Sequence, residues 1–196
     1  MEQEFFNGLE LSIINARNFF DDAEILEKNK RRVRSYTFYQ LCIEECGRFY
    51  MIYNCLRDYY KKKQEPKELN YGKLKKLGFD KHTEKTEINF SNLILTNMVF
   101  LEMSDLKGNQ YLENKLIQSI QYLTSLKDQL NYLKNESLYV SFTNNKFTLP
   151  GENISLYEYD IVKNLANISI RTIEKLKEYY DYHGGFRELK KQYIPE

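Results

Sequence analysis

The 196-residue chain contains no tryptophan, only three prolines and only three cysteines. The odd set of cysteines, Cys42, Cys46 and Cys55, has no Cys-x-x-Cys spacing, which argues against a zinc site or a redox pair. We interpret them as buried thiols in a reducing cytosol, where they act as small hydrophobic side chains. A chain of this length fits one domain and buries enough surface to need no disulfide or metal staple.

Motifs of several enzyme classes are also absent. The chain has no Gly-rich phosphate-binding loop, no His-Glu-x-x-His or Gly-x-Ser-x-Gly motif, and no cluster of His and Cys ligands. Nucleoside-triphosphatase, serine hydrolase and metallohydrolase interpretations therefore have no support. We expect neither a metal nor a cofactor.

Long apolar runs are missing as well. The most apolar stretch, Leu93–Leu101, contains Asn97 and is too short to span a bilayer. The N-terminus lacks the basic and apolar regions of a signal peptide. These features predict a cytoplasmic protein without a membrane segment.

No charge of one sign dominates, since the formal net charge is only +1. Any binding to nucleic acid must therefore come from a local patch. Basic residues cluster with aromatic ones in residues 28–34, 57–63 and 73–82. If these stretches meet at one end of the fold, they form a phosphate-binding surface; the alternative is a set of solvated helix ends.

The residues that are present favour helices. Apolar side chains recur at helical spacing in five segments, at about residues 4–28, 35–63, 81–103, 110–135 and 155–182. The pattern predicts an all-α fold, a single domain over residues 1–196 built as a bundle of four to five long helices. Ser35 and Asp80 are the predicted N-caps of the second and third helices. The leucines of the fourth helix fit a helical hairpin partner or a dimer interface equally well.

The periodicity changes after the fourth helix. Residues 138–142 and 146–149 alternate as short strands around Thr143-Asn144-Asn145, which predicts a β-hairpin near 138–149. We therefore expect a hairpin insertion over 138–150. The basic C-terminal segment, residues 186–196, is predicted to be a mobile tail.

Glu45 is the most informative position found from spacing. It lies seven residues from both Phe38 and Ile52 and shares their apolar stripe, where a carboxylate is costly unless it is paired or protonated. Arg48, three residues on, can form a cluster with Glu44 and Glu45 on one side of the helix. Two interpretations stay open: a functional carboxylate that faces the core, or an edge residue that forms a salt bridge with Arg48.

The chain has only two histidines. His82 lies at a predicted helix start, with Lys85 one turn further along the same face. Histidine suits proton transfer near neutral pH, and a nearby lysine can hold a phosphate. The other interpretation is a surface histidine in a polar first turn. His183 has the position of a helix C-terminal residue.

Asn15 and Asp22 lie seven residues apart and project from one side of the first helix. Spacing alone also fits a structural interpretation of each residue. Asn15 would then bond to a neighbouring helix, and Asp22 would be an exposed charge.

Four stretches follow one another in a recognisable order. Residues 15–26 contain Asn-Ala and Asp-Ala-Glu-Ile-Leu, and residues 41–48 read Leu-Cys-Ile-Glu-Glu-Cys-Gly-Arg. Residues 79–85 contain His-Thr-Glu-Lys, and residues 137–141 read Ser-Leu-Tyr-Val-Ser, followed by Pro150. Together they resemble the AbiV family of bacterial abortive-infection proteins, with its "N-A…D-A-x-L-L", "A-x-E-E-x-G-K", "H-x-x-K" and "L-Y-V-D…P" elements.

The resemblance implies a HEPN-like helical bundle, commonly dimeric and often acting on RNA. It also implies an abortive-infection role, in which an infected bacterium shuts down growth or phage protein synthesis. The polar signature of the family falls here on Asn15, Asp22, Glu44, Glu45, His82 and Lys85. Where the family has lysine after Glu-Glu-x-Gly, this chain has Arg48. The Arg-x4–6-His motif of HEPN ribonucleases is absent, so enzymatic activity stays open.

One functional hypothesis is an effector that cleaves RNA without a metal. His82 would act as general acid or base on a ribose 2′-hydroxyl, while Arg48 and Lys85 stabilise the phosphorane charge and Glu45 orients Arg48. The binding residues implied by the resemblance are Asn15, Asp22 and Glu44.

The alternative is a non-catalytic, dimeric binding protein that senses a phage protein or blocks translation by contact. The leucine pattern of the fourth helix and the Tyr-rich faces suit a homodimer or a partner helix. The expected partners are a second copy of the chain, RNA or the translation machinery, and a phage-encoded activator protein. An unrelated helical bundle is the third interpretation.

Overall fold

The computed structural model describes residues 1–62, 69–104, 107–143 and 145–193. The helices are α1 (Glu2–Lys28), α2 (Arg32–Lys61), α3 (Tyr71–Lys76), α4 (His82–Glu102), α5 (Gln110–Leu138), α6 (Leu156–Tyr182) and α7 (Glu188–Lys191). Strands β1 (Ser141–Thr143) and β2 (Lys146–Thr148) lie between α5 and α6. The predicted all-α bundle of long helices with one small hairpin is confirmed. None of the helices in the described ranges is long and apolar enough to cross a membrane.

Helix α2 is the centre of the bundle, because α1, α4, α5 and α6 all pack against it. Its apolar side chains are buried on every side of the helix, as expected for a helix enclosed by neighbours. Those that are fully buried include Tyr36, Tyr39, Cys42, Ile43, Cys46, Phe49, Met51 and Leu56. Cys55 is buried as well, so all three thiols lie inside the protein, as the sequence predicts. Burial raises the pKa of the Cys46 and Cys55 thiols.

A glycine sets the contact between α2 and α4. A Cβ atom placed on Gly47 would lie 2.0 Å from the backbone oxygen of Lys85. Such a contact is far inside the van der Waals distance, so the two helix backbones meet at this point only because position 47 has no side chain. This close approach brings the first turn of α4 against the middle of α2.

Both predicted N-caps are wrong. Helix α2 begins at Arg32, and Ser35 lies inside it, where its buried hydroxyl donates to the backbone oxygen of Ala23 at 2.8 Å. Helix α4 has Lys81 as its N-cap, and the Asp80 carboxylate accepts a hydrogen bond from the Tyr71 hydroxyl. Helix α6, in contrast, begins with a complete capping box formed by Ser155 and Glu158.

The hairpin is shorter than predicted, because α5 continues to Leu138. Strands β1 and β2 are antiparallel, with Ser141 opposite Thr148 and Phe142 opposite Phe147. The two phenylalanine rings lie 4.9 Å apart and face away from the bundle.

Two predicted features, the C-terminal segment and the leucine pattern of α5, contain residues that are buried within the same chain. In the segment predicted to be a mobile tail, Phe186 and Leu189 lie in the hydrophobic core; residues 194–196 lie outside the described residues. In the leucine pattern of α5, Leu130 and Leu133 also belong to the core of the same chain. That part of the pattern is therefore an intramolecular contact. The side chains of residues 116, 120 and 123 are not among those described.

Candidate functional site

A buried carboxylate lies at the centre of the bundle. Glu44 of α2 is 2% exposed and is surrounded by three basic side chains. Its Oε1 is 2.6 Å from Nζ of Lys134, and its Oε2 is 2.5 Å from Nδ1 of His82 and 3.4 Å from Nζ of Lys85. We call these four residues the Glu44 cluster.

Three helices supply the Glu44 cluster. His82 and Lys85 lie three residues apart in the first turn of α4 and therefore project from the same face. Lys134 comes from the last turns of α5. The contact at Gly47 holds the first turn of α4 against α2, so the histidine and the lysine reach the carboxylate.

The Glu44 cluster is an ionic site almost closed to water. The side chains of Lys85 and Lys134 are 3% and 5% exposed. Burial lowers the pKa of Lys85, and attraction to Glu44 partly offsets that effect. A buried ammonium group is stable only when a carboxylate and further hydrogen bonds compensate for the lost hydration. Glu44 provides that compensation to two lysines at once.

His82 connects the cluster to solvent. Its imidazole is 56% exposed, although its Nδ1 atom contacts the buried carboxylate. A carboxylate bound to one ring nitrogen fixes the orientation of the ring. None of the described residues is hydrogen-bonded to the other nitrogen, Nε2, so that nitrogen can contact a bound molecule. The geometry is that of an oriented acid–base histidine.

A second group of predicted residues lies on a neighbouring face of α2. Nη1 of Arg48 donates to Oε1 of Glu45 at 2.7 Å, and the guanidinium lies 5.4 Å from the ring centroid of Phe79. Both residues line a groove of about 470 Å³ between α1 and α2, together with Asn15. The sequence left two interpretations of Glu45 open, a functional carboxylate that faces the core or a residue in a salt bridge with Arg48. The structure shows the salt bridge with Arg48.

The predicted site residues therefore separate into two sets. Glu44, His82 and Lys85 meet in the Glu44 cluster, whereas Asn15, Glu45 and Arg48 meet at the groove. Asp22 is an exposed residue further along α1, outside both sets.

Sequence reasoning missed Lys134. The signal was present, because Lys134 follows Leu130 by four residues and precedes Ser137 by three, and all of them are buried. A lysine on the buried stripe of an amphipathic helix requires a partner, in the same way as the carboxylate of Glu45 did.

A basic surface lies at the connection between α1 and α2. Lys30, Arg31, Arg32 and Arg34 line a shallow cavity of about 630 Å³. The acidic residue beside them, Glu27, is already bound by Lys163 at 2.8 Å. Residues 28–34 and 57–62 lie at opposite ends of α2, about 40 Å apart at 1.5 Å per residue. The basic stretches therefore do not all meet at one end of the bundle.

Comparison with known protein families gives a match. A family model, HEPN_AbiV, described as AbiV, matches residues 4–171. No curated protein and no solved structure matched the chain. The matched residues run from α1 into α6 and include both the Glu44 cluster and the groove. The chain therefore belongs to the AbiV family of HEPN proteins, and this membership implies a role in abortive-infection phage defence.

Proposed function

We propose that this protein is a cytoplasmic phage-defence effector that cleaves RNA without a metal ion and thereby shuts down growth or phage protein synthesis. The observation that supports the proposal most directly is the contact between His82 and Glu44. A half-exposed imidazole held at 2.5 Å by a buried carboxylate is suited to acid–base chemistry at the surface.

In the proposed reaction, Nε2 of His82 removes the proton from a ribose 2′-hydroxyl. The 2′-oxygen attacks the adjacent phosphorus, and the bond from phosphorus to the 5′-oxygen of the next nucleotide breaks. His82 then returns the proton to the leaving 5′-oxygen. The products are a 2′,3′-cyclic phosphate and a 5′-hydroxyl, so atoms and protons balance.

The surrounding residues have different parts in this proposal. Glu44 is a positioning residue that orients the imidazole ring of His82. Lys85 and Lys134 are too buried to reach a phosphate, and both pair with Glu44 instead. Arg48 is the more exposed cation and lies beside the groove, where it can contact a bound strand.

The first test is RNA cleavage by purified protein in EDTA. We expect wild type to cleave total bacterial RNA and His82→Ala to lose about a hundredfold or more of that activity. Because the His82 side chain is more than half exposed, the variant should keep its cooperative thermal unfolding. His183→Ala is the matched control, since His183 lies at the C-terminus of α6, and it should cleave as wild type does.

Two outcomes would contradict the proposal. The first is cleavage by a folded His82→Ala variant at the wild-type rate. The second is an absence of cleavage by wild type, both alone and after addition of lysate from infected cells, which would supply a phage-encoded activator.

The basic surface at residues 30–34 gives a separate test of RNA binding. For single strands, the logarithm of affinity falls with the logarithm of salt concentration by about 0.7 for each phosphate neutralised. We expect the triple variant Lys30→Gln, Arg31→Gln, Arg34→Gln to reduce that slope by about 2. The control variant Lys146→Gln, Lys175→Gln, Lys190→Gln removes the same charge from other surfaces and should leave the slope unchanged. Equal slopes for the two variants would show that this surface does not bind RNA.

One observation favours a non-catalytic binding protein as the second candidate. The outer face of the hairpin exposes Val140, Phe142, Phe147 and Leu149 by 58–77% each. Exposed apolar groups of this kind suit contact with a second copy of the chain, the translation machinery or a phage protein. Affinity capture from infected cells with wild type, but not with Phe142→Ser/Phe147→Ser, would support that candidate.

A further inference from the structure

The groove between α1 and α2 has the size and composition of a ligand site. Its volume of about 470 Å³ lies within the range of about 300–1,000 Å³ that is usual for small-molecule sites. The lining residues are Gly8, Leu11, Ser12, Ile14, Asn15 and Asn18 of α1, Glu45, Arg48 and Ile52 of α2, and Phe79. Apolar side chains and a few polar groups therefore share one concave surface.

The walls of the groove are held by close helix packing. A Cβ atom on Gly8 would lie 3.1 Å from Cδ1 of Ile52, so α1 approaches α2 closely at this end. The hydroxyl of Ser12 donates to the backbone oxygen of Gly8 and is thereby already used. The polar side chains of the lining that can contact a ligand include Asn15, Asn18 and Arg48.

Arg48 has hydrogen-bonding capacity that the described part of the protein does not use. A guanidinium carries five N–H donors, and the bond to Glu45 uses one nitrogen of Arg48. Nε of Arg48 is enclosed and has no hydrogen-bond partner among the described residues. An enclosed donor without a partner destabilises the folded protein. An acceptor brought into the groove can pair with guanidinium donors that Glu45 does not use.

The charge of the groove determines what kind of acceptor fits. The Glu45 carboxylate balances Arg48, so the groove does not offer the excess positive charge that a phosphate requires. A neutral, planar group with acceptors at its edge is suited better, because it can stack on the guanidinium and pair with the amides. Unpaired nucleobases have these properties, and the exposed Leu11 and Ile14 add an apolar rim.

We propose that this groove binds one unpaired nucleobase of the RNA strand that His82 acts on. This inference rests on the proposed function and adds a base-recognition subsite to it. Glu44 and Glu45 are consecutive in α2, so the Glu44 cluster and the groove lie on neighbouring faces of one helix. Phe79 precedes His82 by three residues, which limits the separation of their Cα atoms to about 10 Å. A nucleotide next to the reactive ribose can therefore reach the groove.

The test measures binding rather than cleavage. The probes are fluorescent 2′-O-methyl RNA hexamers, which lack the reactive hydroxyl, and the same hexamers with one abasic position moved along the strand. We expect wild type to bind the complete hexamer about tenfold more tightly than the hexamer that is abasic at one particular position. Arg48→Lys keeps the charge but removes the fork of donors, so it should bind both probes with the same affinity.

Arg17→Lys is a matched control. Arg17 also pairs with a glutamate, Glu174, and lies 5.4 Å from a phenylalanine ring centroid, but it does not line the groove. It should retain the tenfold preference for the complete hexamer.

The possible failures can be told apart. In one outcome the hexamers bind with a salt-dependent affinity, but the affinity is the same wherever the abasic position lies. This outcome would overturn the base subsite and leave RNA binding intact. Hexamers that do not bind at all would overturn both the subsite and the proposed action on RNA. A preference that Arg48→Lys retains would also overturn the assignment to this groove.

Discussion

Replacement of Glu44 by alanine is expected to lower the free energy of unfolding by about 3–5 kcal/mol, the usual cost of removing one partner from a buried ion pair. Glu44 is the common partner of His82, Lys85 and Lys134, and both lysines are almost fully buried. Without the carboxylate, two ammonium groups remain in the bundle without compensation. Chemical denaturation monitored by circular dichroism would measure the loss.

Two comparison variants separate charge burial from a general effect of mutation. Glu45→Ala removes the neighbouring carboxylate, whose partner Arg48 is 35% exposed and can be hydrated, so its effect should be much smaller. The triple variant Glu44→Leu, Lys85→Met, Lys134→Met removes all three charges and should recover most of the lost stability. A Glu44→Ala protein within about 1 kcal/mol of wild type would show that the cluster is not an ionic core.

Replacement of Gly47 by alanine should be almost as damaging. Alanine normally stabilises a helix interior relative to glycine by about 1 kcal/mol. Here its Cβ would lie 2.0 Å from the backbone oxygen of Lys85, so α2 and α4 must separate. We expect a net loss of about 3 kcal/mol, which corresponds to a fall in melting temperature of about 6–12 °C for a domain of this size. Differential scanning calorimetry would measure it.

Gly8→Ala is the control for this prediction. Gly8 is also a helix-interior glycine, but the nearest atom to its added Cβ is the end of the Ile52 side chain at 3.1 Å, which can move. Its melting temperature should stay near that of wild type. If Gly47→Ala melts at the temperature of Gly8→Ala, the close contact between α2 and α4 is not real.

The long helices could be predicted from sequence because each carries an apolar stripe at helical spacing. The first residues of these helices were harder to predict. Ser35 has the side chain of an N-cap, but its hydroxyl is bound by a backbone carbonyl of α1, which no local pattern reveals. For α6, the cap and its partner Glu158 are both local, and the prediction of Ser155 as the start of the helix was accurate to one residue.

The sequence identified most residues of the candidate site, but it did not show which of them contact one another. Spacing identified Glu45 because it shares a stripe with Phe38 and Ile52. Helix α2 is packed on several sides, however, so Glu44 is buried as well. Periodicity cannot show which of two adjacent carboxylates meets a histidine 38 residues away. Lys134 lies further still along the chain, and only the packing of α5 against α2 brings it to Glu44.

The three buried cysteines allow unfolding to be measured by thiol alkylation. Alkylating reagents attack an exposed thiolate, and in the folded state Cys42, Cys46 and Cys55 are inaccessible. The unfolded chain presents all three at once. The rate of alkylation under native conditions therefore measures how often the bundle opens as a whole, without any label having been introduced. The same chemistry means that a thiol oxidant traps the opened chain and leaves the three thiols of the closed bundle unreacted.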